Sequence, residues 1–274
     1  MIAMVMAAAL SAAPGCEPPP GTEALLAMDR RFIIVGEDHG TEEIPAAFAR
    51  IVCAAAAQGP VIVALELADV MQPRLDAFLE APDDASAAAA LHDTPFWNLR
   101  IQDGRSSAAM LDMMQSVRRL KADGHDVSFS AFRPSDRRVE GFDQNYDELE
   151  MAVRLARAAK TRPRARVLVL VGDFHAMKAR IPGDDLLGAA ALLPPADVVS
   201  LEVAQQGGQS WSCVADRCGP RDIAPAYPRP DERGIVLRPS EDGLYDGVLA
   251  LGPLTPSPPA AQVQPAAISS GSSS

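Results

Sequence analysis

Two stretches of the chain, Val35-Gly36-Glu37-Asp38-His39-Gly40 and Val171-Gly172-Asp173-Phe174-His175-Ala176, share one pattern. Each begins where an apolar run ends and continues as glycine, an acidic residue, a variable residue and histidine. Because the apolar runs predict β-strands, each histidine is expected just past the end of a strand. Ligands bind outside the carboxyl ends of parallel strands in an open α/β sheet. The two stretches therefore predict that His39 and His175 meet at one site.

The rest of the chain alternates between strand and helix patterns. Apolar runs that suit buried strands lie at 31–35, 61–67, 126–132, 166–171 and 198–203. Helical patterns lie around them, at 42–58, 70–79, 85–91, 106–122, 146–160 and 186–193. This alternation predicts an α/β fold in which a mostly parallel central sheet carries helices on both faces. Two short strand patterns at 234–237 and 247–251 predict an edge hairpin or a cap near the C-terminus.

The strand pattern at 61–67 places a glutamate, Glu66, at the same predicted edge of the sheet. Two histidines and a carboxylate are a donor set for a divalent metal ion such as Mn, Co or Zn. The same groups serve as base, acid and orienting group when no metal is bound. Both interpretations stay open for His39, Glu66 and His175. A serine nucleophile is not expected, because the chain contains no Gly-x-Ser-x-Gly motif.

The length of 274 residues suits one large α/β domain, which we expect to span 28–252. The segment 1–20 is an apolar run that ends in small residues and prolines, which is typical of a signal peptide or a lipoprotein signal. From 253 to 274 the sequence is mainly Pro, Ala, Gln and Ser, which predicts a disordered tail.

The chain carries 25 Lys and Arg residues against 36 Asp and Glu residues, a formal net charge of −11. This excess of acidic groups argues against binding to nucleic acid or to an anionic membrane surface. The expected partner is a small-molecule or peptide substrate. Membrane attachment is expected only through a lipid on Cys16, and the sequence does not determine the oligomeric state.

The remaining cysteines bear on the cellular compartment. Cys213 and Cys218 stand five residues apart beside turn-forming residues and suit a loop closed by a disulfide, which is typical of an oxidising environment. Cys53 lies in an apolar stretch and is expected to be a buried core thiol. With the leader-like segment, the cysteine pair predicts an exported protein that is periplasmic or lipid-anchored.

The segment 96–107 combines aromatic residues, amides, an acid and arginines directly before a helical pattern. Ser106 or Ser107 is expected to cap this helix, whose first N–H groups then face an anion. Arg105 beside them is a candidate for binding a substrate carboxylate or a developing oxyanion, because a guanidinium offers paired donors. The alternative is a capped helix with an exposed arginine.

The motifs together resemble a known superfamily. The stretches 36–45, 64–66 and 172–176 are similar to the superfamily that includes erythromycin esterases, ChaN-like haem-uptake lipoproteins and Tiki/TraB proteins, and the similarity covers roughly 32–203. The resemblance implies an α/β fold whose motif residues line one cleft. It implies a different activity for each branch: ester hydrolysis, haem binding or metal-dependent peptide cleavage.

The resemblance also implies roles for individual residues. His39 and His175 match the motif histidines, Glu37 matches the acidic neighbour of the first, and Glu66 matches the glutamate between them. Glu43 falls where esterase-like members carry an acid. Its alternative role is that of a carboxylate that interacts with the dipole at a helix N-terminus.

These observations lead to two hypotheses. The first is an exported hydrolase in which His39 or Glu66 activates water, directly or through a metal, with Glu37, Asp38 or Asp173 beside the rings. The second is a haem- or metal-binding uptake protein without catalysis. Haem is the alternative cofactor, but it is disfavoured because all three tyrosines lie away from the motifs in the sequence: Tyr146, Tyr227 and Tyr245.

Overall fold

The structure is a computed structural model that describes residues 16–263, with gaps at 100–101, 136–140, 181–182, 184 and 215–216. Most of the predicted leader and the tail beyond residue 263 lie outside the described residues. Within them, no helix is long and apolar enough to cross a membrane.

Strands alternate with helices along most of the chain. The strands are β1 (Phe32–Glu37), β2 (Val61–Ala68), β3 (Val127–Arg133), β4 (Arg166–Gly172), β5 (Val198–Val203), β6 (Gln209–Val214), β7 (Arg217–Asp222), β8 (Gly234–Val236) and β9 (Gly247–Ala250). The helices are α1 (Thr22–Ala27), α2 (Glu43–Ala56), α3 (Gln72–Leu79), α4 (Asp84–His92), α5 (Ala108–Ala122), α6 (Gln144–Thr161), α7 (Asp173–Ala176) and α8 (Ala260–Val263). The predicted helix at 186–193 is reduced to a 3-10 turn, Ala189–Leu192.

The main sheet has the strand order β3-β2-β4-β1-β5-β9-β8. All neighbouring strands are parallel except β8 and β9, which form an antiparallel pair at one edge. The α/β class, the mostly parallel sheet and the C-terminal hairpin are therefore confirmed. The order also places β2, β4 and β1 next to one another, so their carboxyl ends share one stretch of the sheet edge.

Each central strand is buried on both faces, which explains its continuous apolar sequence. On β1, Ile33 and Val35 pack on the side of α2 and α5, in a cluster that also contains residues of α3 and α4. Phe32 and Ile34 point to the opposite side, where α6 packs. The predicted placement of helices on both faces is confirmed.

A separate antiparallel ribbon, β6 with β7, was not predicted as strands. The Cys213–Cys218 disulfide joins opposed residues of the ribbon, as the cysteine spacing predicts. The ribbon contacts the loop after β1, because Trp211 N–H donates to the Gly40 carbonyl at 2.8 Å. Gly40 has a φ of 82°, and a Cβ there would lie 2.1 Å from the Trp211 oxygen, so only glycine fits.

The disulfide of Cys16 corrects one expectation, the free thiol at Cys53, and bears on a second, the lipid on Cys16. Cys16 forms a disulfide with Cys53, and the described part of the chain has no free cysteine. The prediction of a core thiol at Cys53 is therefore wrong, because its sulfur is paired with a residue from the leader-like segment. A sulfur in a disulfide has no valence left for a lipid thioether, so this bond and lipidation of Cys16 exclude each other.

The ordered domain extends farther toward the C-terminus than the composition predicts. Leu254, Ser257 and Ala260 are buried, and Ala260 N–H donates to the Ser106 carbonyl at 3.0 Å. Thr41 and Pro256 form an isolated β-bridge. The segment 253–263, expected as the start of a tail, thus lies against the loops that carry the candidate site. Its small residues and prolines fit between α5 and the loop after β1.

Candidate functional site

Three motif side chains converge at the carboxyl edge of the sheet. His39 follows β1, Glu66 lies near the end of β2, and His175 lies in α7 directly after β4. Gly172, the last residue of β4, shows how close they are. A Cβ on Gly172 would lie 3.2 Å from His39 Nε2, 3.4 Å from His175 Cδ2 and 3.5 Å from Glu66 Oε2. The structure therefore brings both predicted histidines and the predicted glutamate together.

Glu66 occupies the centre of the site and is only 5% exposed. Its Oε2 accepts a hydrogen bond from Gly172 N–H at 2.9 Å and lies 3.4 Å from His39 Nε2. Its Oε1 lies 3.9 Å from His175 Nε2. Both imidazoles therefore direct Nε2 toward the same buried carboxylate.

Each histidine is also held at Nδ1 by a buried carboxylate. Glu37 Oε1 lies 3.0 Å from His39 Nδ1, and Glu148 Oε1 lies 2.6 Å from His175 Nδ1. The partner of His175 is therefore Glu148 of α6, and not Asp173 as the sequence suggested. A carboxylate at Nδ1 favours the tautomer that carries its proton there, which leaves Nε2 of a neutral ring with a lone pair.

Glu148 is fully buried and has further partners that fix it in place. Its Oε2 accepts from Ala189 N–H at 2.8 Å, and its Oε1 accepts from the Gln144 side chain. Asp173 instead accepts from Phe174 N–H at 2.7 Å, which anchors the first turn of α7. The orientation of His175 thus depends on how α6 packs over the end of β4.

Two arginines lie beside Glu66, at unequal distances. Arg105 Nη1 donates to Glu66 Oε1 at 2.7 Å, and its Nε donates to Asp103 at 3.1 Å. Arg133, the last residue of β3, has Nη1 3.5 Å from Glu66 Oε1. Arg105 therefore pairs with two carboxylates, whereas Arg133 lies farther from Glu66 and is more exposed.

The expected anion site at the start of α5 is not formed. Ser107 caps the helix by accepting from Met110 N–H at 3.3 Å, as predicted. The next N–H groups, however, are taken by the chain itself: Ala108 donates to the Pro258 carbonyl at 2.8 Å and Ala109 to Ser257 Oγ at 3.0 Å. This prediction was wrong because the C-terminal segment, expected as a tail, fills the helix N-terminus.

Electrostatics favour a protonated His39. Burial alone would lower the pKa of His39, but Glu37 and Glu66 outweigh it and raise this pKa to about 10. Burial would also raise the pKa of Glu66, yet the hydrogen bond and charge of His39, with the charges of Arg105 and His175, hold it well below its usual range. At neutral pH the site therefore contains an imidazolium at His39 and a carboxylate at Glu66.

Glu43 and Asp38 contribute less directly. Glu43 Oε2 accepts from Thr255 N–H at 2.8 Å, so this carboxylate ties the start of α2 to the C-terminal segment. The pKa of Asp38 is raised by burial and by the nearby charge of Asp173. The structure thus assigns Glu43 a packing contact, close to its alternative role at the helix N-terminus.

The donor chemistry of Glu66 does not suit a divalent metal. Both of its oxygens already accept charge-assisted or backbone hydrogen bonds, and the guanidinium groups of Arg105 and Arg133 would repel a cation placed beside them. In the described ranges, no group of three His, Cys, Asp or Glu side chains is arranged to hold a metal ion. A metal held by His39, Glu66 and His175 therefore stays a prediction that the contacts of Glu66 fit poorly.

Three residues of the site lack a sequence motif: Glu148, Arg133 and Tyr245. The Tyr245 hydroxyl donates to the Asp173 carbonyl at 2.9 Å, although this tyrosine lies 72 residues away in the chain. Tyr245 is 5% exposed, and burial with the charge of Asp173 raises its pKa. It therefore supports the loop of His175 and is not placed as a haem ligand. The sequence does contain one indication of Arg133, because it is a cation at the end of an apolar strand pattern.

No family model matches the chain, and no curated protein matches it. Solved structures do match. An erythromycin esterase, EreC, in its open conformation, superimposes with a TM-score of 0.64 at 9% identity, over 85% of this chain and 93% of that one. A protein from Bacillus cereus superimposes with a TM-score of 0.58 at 11% identity, over 86% of this chain and 92% of that one.

A third match, ChaN of Campylobacter jejuni with cofacially bound haem, reaches a TM-score of 0.38 at 14% identity, over 66% of this chain and 84% of that one. A match of this quality supports no conclusion about this chain. The first two similarities extend over most of both chains and confirm the fold that the sequence motifs imply. The protein has the α/β fold of erythromycin esterase.

Proposed function

We propose that the protein is a hydrolase that cleaves a carboxylic ester of a small molecule with a water molecule activated by His175. One observation carries the proposal: two histidines, each held at Nδ1 by a buried carboxylate, direct Nε2 toward one ionised glutamate at the carboxyl edge of the sheet. Such a pair supplies a general base and a general acid in one pocket.

The two rings differ in their distance from Glu66, which is 3.4 Å from His39 Nε2 and 3.9 Å from His175 Nε2. Glu37 and Glu66 flank His39 and raise its pKa to about 10, so His39 carries a proton at neutral pH and is suited to donate it. His175 contacts Glu148 through Nδ1, which leaves Nε2 to accept a proton from water. The sequence hypothesis that water is activated with His39, Glu66 and His175 is therefore made more specific, with His175 proposed as the base.

Glu66 acts as a fixed charge. A carboxylate whose pKa is held well below its usual range is a weak base, so Glu66 is poorly suited to remove a proton from water. Its negative charge instead keeps His39 protonated and orients Arg105. This arrangement costs no reorganisation during the reaction, which is the condition for effective electrostatic stabilisation.

The reaction then proceeds with balanced proton transfers. His175 Nε2 takes a proton from water as the water oxygen forms a bond to the carbonyl carbon, and the carbonyl π electrons move to its oxygen. The tetrahedral intermediate collapses, the bond to the leaving alcohol breaks, and the alcohol oxygen receives a proton from His39. His175 loses its proton to solvent and His39 regains one, which restores the site.

The proposal is tested by measuring hydrolysis of 4-nitrophenyl esters by the wild-type chain and by His175→Gln. We expect the substitution to lower kcat/KM by at least about 10²-fold, the range for loss of a general base. The matched control is His125→Gln, whose Nδ1 lies 3.3 Å from the Ala56 carbonyl and which takes no part in the site. Turnover at the wild-type rate by the His175→Gln variant would overturn the proposal.

Binding without catalysis is the alternative outcome of the same study. A haem carrier would develop a Soret band with hemin, and the band would shift in His39→Ala or His175→Ala. A protein with that behaviour and no ester or peptide hydrolysis would be an uptake protein.

We also propose that the protein is exported. The support is chemical: two disulfides, Cys16–Cys53 and Cys213–Cys218, are typical of an oxidising compartment. Because Cys16 is disulfide-bonded, we favour a periplasmic location over lipid anchoring. Cell fractionation with thiol trapping tests this: a periplasmic fraction with all cysteines blocked supports it, and a reduced cytoplasmic protein contradicts it.

A further inference from the structure

A cleft of about 580 Å³ opens beside the site, on the side of β3. Its walls include the apolar side chains of Phe96, Leu99 and Phe142, and its charged groups among the described residues are Arg105, Arg133 and Asp147. Because Arg105 and Arg133 also contact Glu66, the cleft ends where the catalytic groups begin.

The apolar wall is unusually open to solvent. Phe142 is 74% exposed and Leu99 is 49% exposed, whereas the neighbouring Trp97 is fully buried and Phe96 is partly buried. Exposed apolar side chains grouped around a concave surface with a few polar groups at its end are typical of a ligand site. This grouping favours a ligand with an apolar body.

The two arginines at the end of the cleft differ in the hydrogen bonds they make. Arg105 donates to Glu66 and to both oxygens of Asp103. Arg133 lies 3.5 Å from Glu66 Oε1, beyond normal hydrogen-bond distance, and its side chain is 36% exposed. Asp147 across the cleft interacts with Arg133 through charge. Of the two arginines that line the described part of the cleft, Arg133 is therefore the one with donors available to a ligand oxygen.

Arg133 and the proposed base flank the same atom. Glu66 Oε1 lies 3.5 Å from Arg133 Nη1 and 3.9 Å from His175 Nε2. Arg133 Nη1 and His175 Nε2 therefore both lie within 4 Å of one oxygen, so a carbonyl group bound beside that oxygen has a cation and a base next to it. That is the relation between base and electrophile that acyl transfer requires.

We propose that the cleft binds the apolar acyl chain of the substrate and that Arg133 binds its carbonyl oxygen. The substrate class is thus an ester of an apolar carboxylic acid. This inference rests on the proposed hydrolysis. As the water oxygen bonds to the carbonyl carbon, negative charge develops on the carbonyl oxygen, and Arg133 stabilises that charge while keeping its own protons. The oxyanion role expected for Arg105 from the sequence passes to Arg133.

The test is a chain-length series of 4-nitrophenyl esters, from acetate to decanoate, with wild type, Arg133→Gln, Arg133→Lys and Phe142→Ala. In the wild type, kcat/KM rises by up to about fourfold per added methylene until the cleft is filled. Phe142→Ala flattens this rise. Arg133→Gln lowers kcat by about 10²- to 10³-fold at every chain length and leaves the rise intact, and Arg133→Lys recovers part of the loss. Arg157→Gln, an exposed arginine on α6, is the control.

Octanoate binding by calorimetry separates this inference from the proposed function. We expect Arg133→Gln to weaken octanoate binding at least about tenfold, the loss expected for a charge-assisted contact. Ester turnover that depends on His175 but not on Arg133 would overturn the inference and leave hydrolysis standing. Arg133-dependent octanoate binding without turnover of any ester would overturn the hydrolysis and leave only the binding of the acyl group standing. A flat chain-length series with no octanoate binding would overturn the acyl site.

Discussion

Glu148→Gln tests the catalytic arrangement with a change of a few atoms. Glu148 is fully buried and accepts hydrogen bonds from His175 Nδ1–H at 2.6 Å and from Ala189 N–H at 2.8 Å. Glutamine has one oxygen and one NH2 group in place of two oxygens. If the NH2 group replaces Oε2, Ala189 N–H loses its acceptor. If it replaces Oε1, His175 turns to the tautomer that accepts at Nδ1, and the Gln144 amide turns its oxygen toward the new NH2 group.

The second result is the one we expect, because the backbone N–H of Ala189 cannot move away. His175 then carries its proton at Nε2, and a ring in that state cannot take a proton from water. We expect kcat/KM to fall about 10³- to 10⁴-fold, equivalent to about 4–5.5 kcal/mol of transition-state stabilisation. The free energy of unfolding should fall by only about 1–3 kcal/mol, the cost of one unsatisfied or weakened buried hydrogen bond.

Ester hydrolysis and urea denaturation measure these two effects separately, and nitrogen NMR of the His175 ring reports its tautomer. Glu150→Gln is the matched control, since Glu150 lies on the same helix and pairs with Arg154 outside the site. A variant that keeps kcat/KM within threefold of the wild type, or that keeps its Nδ1–H tautomer, would refute the assignment of Glu148 as the residue that positions His175.

Three further predictions concern His39, the Cys16–Cys53 disulfide and Glu43. The pKa of His39 is about 10 in the folded protein against about 6.5 in the unfolded chain. The protonated ring therefore contributes its full stabilisation below pH 6.5 and loses it as the pH rises toward 10. Urea denaturation should show the free energy of unfolding decline over this range, and His39→Gln should reduce that decline. Replacing Cys16 and Cys53 by serine opens a loop with a sequence separation of 37 residues and should cost up to about 4 kcal/mol of unfolding free energy, measured without reductant, whereas an unchanged stability would show that the bond does not form. Glu43→Gln should weaken the contact with Thr255 and lower the melting temperature slightly, and a loss of kcat/KM beyond tenfold would return Glu43 to the catalytic groups.

The sequence predicts the sheet and the central site residues for a clear physical reason. The strands β1, β2 and β4 are buried on both faces, so their sequences are continuous apolar runs with recognisable ends. The residues that follow such runs lie at the carboxyl edge by necessity. His39, Glu66 and His175 are therefore predictable, once adjacent strands are assumed, and the structure supplies that adjacency.

Contacts between distant elements are not predictable in the same way. Glu148 lies on a helix with an ordinary amphipathic pattern, and nothing local indicates that it reaches His175. The Cys16–Cys53 bond and the filling of the α5 N-terminus by Ser257 and Pro258 depend on how the termini pack on the domain. A segment rich in proline and small residues is predicted from its composition to be a flexible tail. The same residues fit a narrow groove when the groove offers hydrogen-bond partners for their backbone.

We propose that His175, held at Nδ1 by the buried Glu148, activates water without a metal. The most direct measurement is ester hydrolysis by wild type and His175→Gln, with the metal content of each sample determined by elemental analysis. We expect full wild-type turnover at a metal content far below one ion per chain, unchanged by chelator, and loss of turnover in His175→Gln. Turnover that rises in proportion to bound metal, or that disappears with chelator and returns with Mn, Co or Zn, would contradict it.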